Sequence, residues 1–140
     1  MSTIKKILVA LDGSKNSYRA LTKAIDFAKQ TKVPITGIVV VQTYRTEMGV
    51  VKTITGEIMS KNIKKIMNVA KKKCYKNKIQ FSGVTKYGQE GNTIVSYAEK
   101  NGYDIIVIGS RGRGLFKEIL LGSTSHHVVH SSKIPVLIIK

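Results

Sequence analysis

Apolar residues along this chain come in short continuous blocks, separated by longer stretches with a different period. Residues 4–11, IKKILVAL, are apolar from Ile7 onward, as expected of a strand covered on both faces. Asp12-Gly13-Ser14 follows as a turn and helix cap, with Asp12 or Ser14 accepting backbone N–H bonds. Ala20, Leu21, Ala24, Ile25 and Ala28 then recur at helical spacing, while Lys15, Arg19, Lys23 and Lys29 fall on other faces. Pro34 is expected to break this helix, and 35–42, ITGIVVVQ, reads as a second buried strand. Residues 42–56 hold Gly49 and Gly56 and have no clean period, so they read as a loop.

Met59, Ile63, Ile66 and Ala70 follow a 4-3-4 pattern, the apolar stripe of a second helix, with Met as core filler. The stretch 79–87, IQFSGVTKY, alternates and reads as a third strand nearer a sheet edge. A third helix is expected over 92–100, with Asn92 as cap and Asn101-Gly102 as stop. DIIVIG, 104–109, makes a fourth strand. A helix through about His130 and a fifth strand, IPVLIIK, close the chain. Strands alternating with helices predict an α/β fold, an open five-stranded parallel sheet with helices on both faces. Right-handed crossovers favour the Rossmann-like, doubly wound order 3-2-1-4-5, in one domain over 1–140. In that order the carboxyl ends of the first and fourth strands, Leu11-Asp12 and Ile108-Gly109, face one crevice at the switch point.

Composition narrows the classes. With 140 residues and 42% hydrophobic content the chain can bury a real core. No apolar run approaches the roughly 20 residues of a membrane span, and the first apolar stretch, followed by Asp12 and Gly13, reads as a strand and not a signal peptide. The single Cys74 cannot form an internal disulfide, which suits a reducing cytoplasm. Its lysine-rich surroundings would lower the thiol pKa if it were exposed, but a lone cysteine on an amphipathic helix is ordinarily buried. The net charge of +16 attracts polyanions of any kind. Eight lysines fall between Lys61 and Lys78 with no acidic residue among them, a run that usually marks a solvated helix face.

The chemistry concentrates after the fourth strand, where the spacing is Gly109-x2-Gly112-x9-Gly122-Ser123-Thr124. Holding a polyphosphate needs inward-pointing N–H groups and no Cβ in their way. Gly109 can turn off the strand and Gly112 can let the chain close over a ligand. Gly122, with the Ser123 and Thr124 hydroxyls, would add an N–H cluster at a helix N-terminus, where the dipole favours anions. Arg111, Arg113 and Lys117 add positive charge. The segment is neither a Walker loop nor a dinucleotide fingerprint, and a plain turn with a close helix contact remains the competing reading. His126 and His130 stand i, i+4, but a zinc site needs a third ligand that the sequence does not supply nearby. Asp12 is the one carboxylate expected in the crevice, since Asp104 begins the fourth strand at the sheet's opposite end. Efficient phosphoryl transfer therefore lacks its parts.

KKILVALDGS at the start, DIIVIGSRGRG, GSTS and the closing IPVLII together resemble a universal stress protein of the UspA-like family. G-x2-G-x9-G-S/T is that family's mark of ATP-binding members, and Gly109, Gly112, Gly122 and Ser123 match it. The resemblance implies the five-stranded fold argued above. It also implies nucleotide-binding positions at Ala10, Leu11, Asp12, Val40, Gly109, Arg111, Gly112, Gly122, Ser123 and Thr124. Asp12 would sit near the adenosine and the Mg or Mn that accompanies it, and the Val40 backbone would meet the adenine edge. The nucleotide would be ATP, with ADP or AMP as alternatives, and a homodimer would form through the terminal strand, 134–139. Two features depart from the family: its usual Pro after the first strand is Ala10 here, and members are seldom so basic. The sequence thus reads as a cytoplasmic, ATP-binding stress-response protein acting through partners. Its rivals are a polyanion- or nucleic-acid-binding module using Lys61–Lys78, and a weak ATPase.

Overall fold

The computed structural model describes residues 3–46, 49–52, 56–111 and 121–140. Strand β1 (Ile7–Ala10) leads into helix α1 (Lys15–Ala28), whose N-cap Ser14 accepts the Ser17 N–H at 3.1 Å. Asp12 Oδ1 accepts the Ser14 N–H at 2.9 Å, so both predicted cap residues are used. The helix stops well before Pro34. Lys32, with φ of 57°, turns the chain in the left-handed region instead, a conformation that is uncommon but accessible for a single non-Gly residue.

Strand β2 (Ile35–Thr46) is longer than its apolar block, and Gly49–Lys52 forms strand β3 antiparallel to its far end, with Thr43 opposite Lys52 and Thr46 opposite Gly49. The loop expected over 42–56 is therefore in large part a two-stranded arm. Backbone pairing supplies the order that the mixed polar sequence did not announce. Helix α2 (Gly56–Lys76) follows, then strand β4 (Phe81–Gly88) and helix α3 (Glu90–Lys100). The N-cap of α3 is Gln89 and not Asn92, which lies inside the first turn. Strand β5 (Ile105–Gly109), helix α4 (Ser123–Ser131) and strand β6 (Val136–Ile139) complete the chain.

The five parallel strands lie in the order β4-β2-β1-β5-β6, the predicted 3-2-1-4-5. Ile7 aligns with Ile35 on one side and Ile105 on the other. Because strand side chains alternate, Ile7, Val9 and Leu11 pack under α1 and α2 with Leu21, Ile25, Ile66 and Ala70. Leu8 and Ala10 pack on the opposite face with Ile94, Val95, Ala98 and Val128 of α3 and α4. Double coverage is why β1 reads as an unbroken apolar run, and each buried Leu or Ile contributes about 1.5–3 kcal/mol. Strand β4, paired only with β2 among the described residues, is half-exposed along its length, as expected near a sheet edge, although its burial runs in pairs and not in strict alternation.

At the amino ends of the strands, the Asp104 carboxylate accepts the Lys5 and Lys6 N–H groups at 2.8 and 2.9 Å. This carboxylate is a structural tie, far from the carboxyl ends where the connections open. No described helix is long and apolar enough to cross a membrane.

Candidate functional site

A crevice of about 640 Å³ opens at the carboxyl ends of β1, β2 and β5, within the range of small-molecule sites. Its inner wall is largely apolar: Ile38 to Val41 from β2, Met59, Ile63 and Ile66 from α2, Ile94 from α3 and Ile108 from β5, with Gln42 and Asn62 the polar residues among them. Its other end is polar, formed by Asp12, Ser17, Glu90, Arg111 and Gly122 to Ser125. The sheet order creates this division. After β1 the chain crosses to one face and after β5 to the other, so nothing in the sheet fills the gap between the two strand ends.

Gly109 is small for a local reason. A Cβ there would fall 2.8 Å from Asn16 Cγ and 3.0 Å from the Asn16 carbonyl oxygen, both on the first turn of α1. Asn16, buried on the first turn of α1, donates from Nδ2 to the Ile139 carbonyl at 3.1 Å and accepts the Arg111 N–H at 2.8 Å. One side chain thus joins α1, the end of β6 and the start of the connection after β5. A buried amide with a partner on each arm stabilises, whereas an unpaired one costs about 1–3 kcal/mol.

A second set of bonds fixes the start of α4. Gly122 is its N-cap and donates its N–H to the Ser110 carbonyl at 2.6 Å. Buried Ser125 donates its hydroxyl to the same carbonyl at 2.9 Å. The expected role of Gly122 as an N–H donor to a ligand is thereby altered, because its own N–H is committed to the protein. The N–H groups of Ser123, Thr124 and Ser125 belong to the first helical turn, which has no intrahelical acceptors. No side chain caps this end, so the positive end of a nine-residue helix faces the crevice.

Of the residues implied by the resemblance, Ala10, Leu11, Asp12, Val40, Gly109, Arg111, Gly122, Ser123 and Thr124 all line this crevice. Gly112 lies outside the described residues, as do Arg113 and Lys117. Two residues of consequence were missed. Asn16 was legible in principle: it occupies an i, i+4 stripe with Ala20, Ala24 and Ala28, where an apolar residue is expected. Glu90 was not. The sequence implies Asp12 as the one carboxylate in the crevice, yet Glu90 also lines it and accepts the Thr124 hydroxyl at 2.7 Å. Starting α3 two residues earlier than Asn92 is what brings it there. Met59, expected as core filler, lines the crevice as well.

The other weighed groups lie elsewhere. His126 and His130 stack with ring centroids 4.7 Å apart, and no cluster of three metal-ligating side chains occurs among the described residues. Cys74 is fully buried, and burial pushes its thiol up to about 11. The lysines of α2 are solvent-exposed apart from half-buried Lys73, whose ammonium lies 5.2 Å from the Tyr18 ring.

Comparison with known proteins gives a consistent picture. The family described as the universal stress protein family matches residues 3–140. Universal stress protein YxiE of Bacillus subtilis is 34% identical, over 96% of this chain and 98% of its own. Among solved structures, MJ0577 of Methanocaldococcus jannaschii superposes with a TM-score of 0.82 at 28% identity, covering 98% of this chain and 96% of that one. The universal stress protein of Archaeoglobus fulgidus, solved in complex with dAMP, shares the fold with a TM-score of 0.73 at 21% identity, with both chains fully covered.

Proposed function

This chain belongs to the universal stress protein family, and from that premise we propose that it binds ATP in the crevice and regulates partner proteins according to nucleotide occupancy. The observation that carries the reading is the crevice itself, apolar at one end and closed at the other by an uncapped helix start. Adenine fits against the apolar wall with the Val40 backbone at its edge, since one residue's backbone offers both an N–H and a C=O to a base. The phosphates take the end formed by Arg111 and the first turn of α4. Asp12 keeps one carboxylate oxygen beyond its bond to Ser14 and is the residue to hold a Mg or Mn ion that arrives with the nucleotide. The Archaeoglobus fulgidus protein, with its dAMP, has the same fold. The site of action is the cytoplasm. Any hydrolysis at the site is proposed to be slow.

Calorimetric titration with ATP–Mg at about 0.15 M salt, on wild type and Gly122→Val, tests this. Gly122 has φ −68° and ψ 166°, a conformation valine adopts, so the variant folds with a capping loss of about 1 kcal/mol. Saturable binding in wild type that disappears in the variant supports the reading. Equal binding in both, with a steep loss at higher salt, would instead assign the nucleotide to the lysines of α2, because only multiple exposed charge contacts give that slope.

A further inference from the structure

Glu90 stands where an anionic ligand would be expected. It opens α3, and its carboxylate accepts the Thr124 hydroxyl on the first turn of α4 at 2.7 Å. Two helix starts therefore converge on one carboxylate. The convergence is enforced by packing, since a Cβ on Gly91 would lie 2.7 Å from His127 Cδ2 and 2.9 Å from His127 Cβ. A glycine beside Glu90 lets α3 approach α4 closely enough for the hydrogen bond. The acid also lines the same crevice as Arg111, Ser123 and Thr124.

Resting on the nucleotide reading above, we infer that Glu90 is a charge filter at the phosphate end, an internal anion that makes the crevice discriminate by phosphate number. A ligand whose phosphates reach the start of α4 must displace the carboxylate from Thr124 or share the space with it. Adenosine, which carries no phosphate, meets no such opposition. Each added phosphate charge meets more, unless a divalent cation lies between the two anions and cancels the repulsion.

The experiment is a calorimetric series with adenosine, AMP and ATP, each in EDTA and in Mg, on wild type and Glu90→Gln. Glutamine keeps the shape and an acceptor for Thr124 and removes only the charge. In wild type without divalent ion, affinity is expected to fall from AMP to ATP and to recover with Mg. In Glu90→Gln, metal-free ATP is expected to bind about tenfold tighter, the factor that one charge at several ångströms supplies in a partly solvated crevice, while adenosine is unchanged. A parallel shift for adenosine and ATP, or no shift for either, overturns the filter and leaves nucleotide binding intact. Weaker ATP–Mg binding in the variant overturns it also, making Glu90 a metal ligand. No binding of any nucleotide by either protein overturns both readings. Adenosine affinity reports whether the variant is folded, and the wild-type series stands without the variant.

Discussion

Gly109→Ala is the substitution whose consequence the structure specifies most closely. The new methyl group would sit 2.8 Å from Asn16 Cγ and 3.0 Å from the Asn16 carbonyl oxygen. One of those atoms is backbone at the start of α1, so the clash cannot be relieved by a side-chain rotation alone. Overpacking at a closed site costs about 1–3 kcal/mol. Moving Asn16 aside also weakens its bonds to Ile139 and Arg111, at about 0.5 kcal/mol each. The sum is about 2–4 kcal/mol. For a chain of 140 residues, unfolding entropy makes each kcal/mol worth about 3 °C, so the melting temperature should drop by about 6–12 °C. Urea unfolding should show a lowered midpoint at an unchanged slope. Asn16→Ala removes both bonds and is destabilising by itself, yet it also makes room for the methyl group. The double variant should therefore be more stable than the sum of the singles by about 1–3 kcal/mol. Strict additivity, or a Gly109→Ala protein within 0.5 kcal/mol of wild type, would refute the assignment of Gly109 to close packing. It would restore a role for that glycine in ligand approach alone.

Cys74 is fully buried and its thiol is raised from 9.0 to about 11, so a disulfide reagent at pH 8 should label it only at the rate of unfolding. Because the folded pKa lies above the unfolded one, this group's contribution to stability is complete below pH 9 and is lost as pH rises toward 11. Fast labelling of the folded protein would contradict the burial. Strand β6 pairs only with β5 among the described residues, leaving an apolar edge of the kind that proteins cover or pair. We propose a homodimer through 134–139; sedimentation should give a dimer, and Ile138→Lys should shift it to monomer, whereas a wild-type monomer at every salt concentration would defeat the proposal.

The sequence alone determined the order of the five parallel strands and the helices between them, the doubly wound topology and the crevice at the ends of the first and fourth strands. It could do so because a strand buried on both faces must be apolar throughout, and an alternating one must lie at an edge. IKKILVAL and IQFSGVTKY differ in that way, and β1 and β4 occupy the centre and the edge accordingly. The glycine spacing likewise pointed to the carboxyl end of β5. Tertiary structure decided what those glycines do. Gly109 yields space to Asn16, ninety-three positions earlier in the chain, and Gly122 gives its N–H to Ser110. It also decided the charge of the site. Glu90 enters the crevice only because Gly91 lets α3 press against His127 of α4. Local pattern records which face of an element is buried, since burial is a property of each residue. Which two elements meet, and at what distance, depends on side chains far apart in sequence, and no periodicity carries that information.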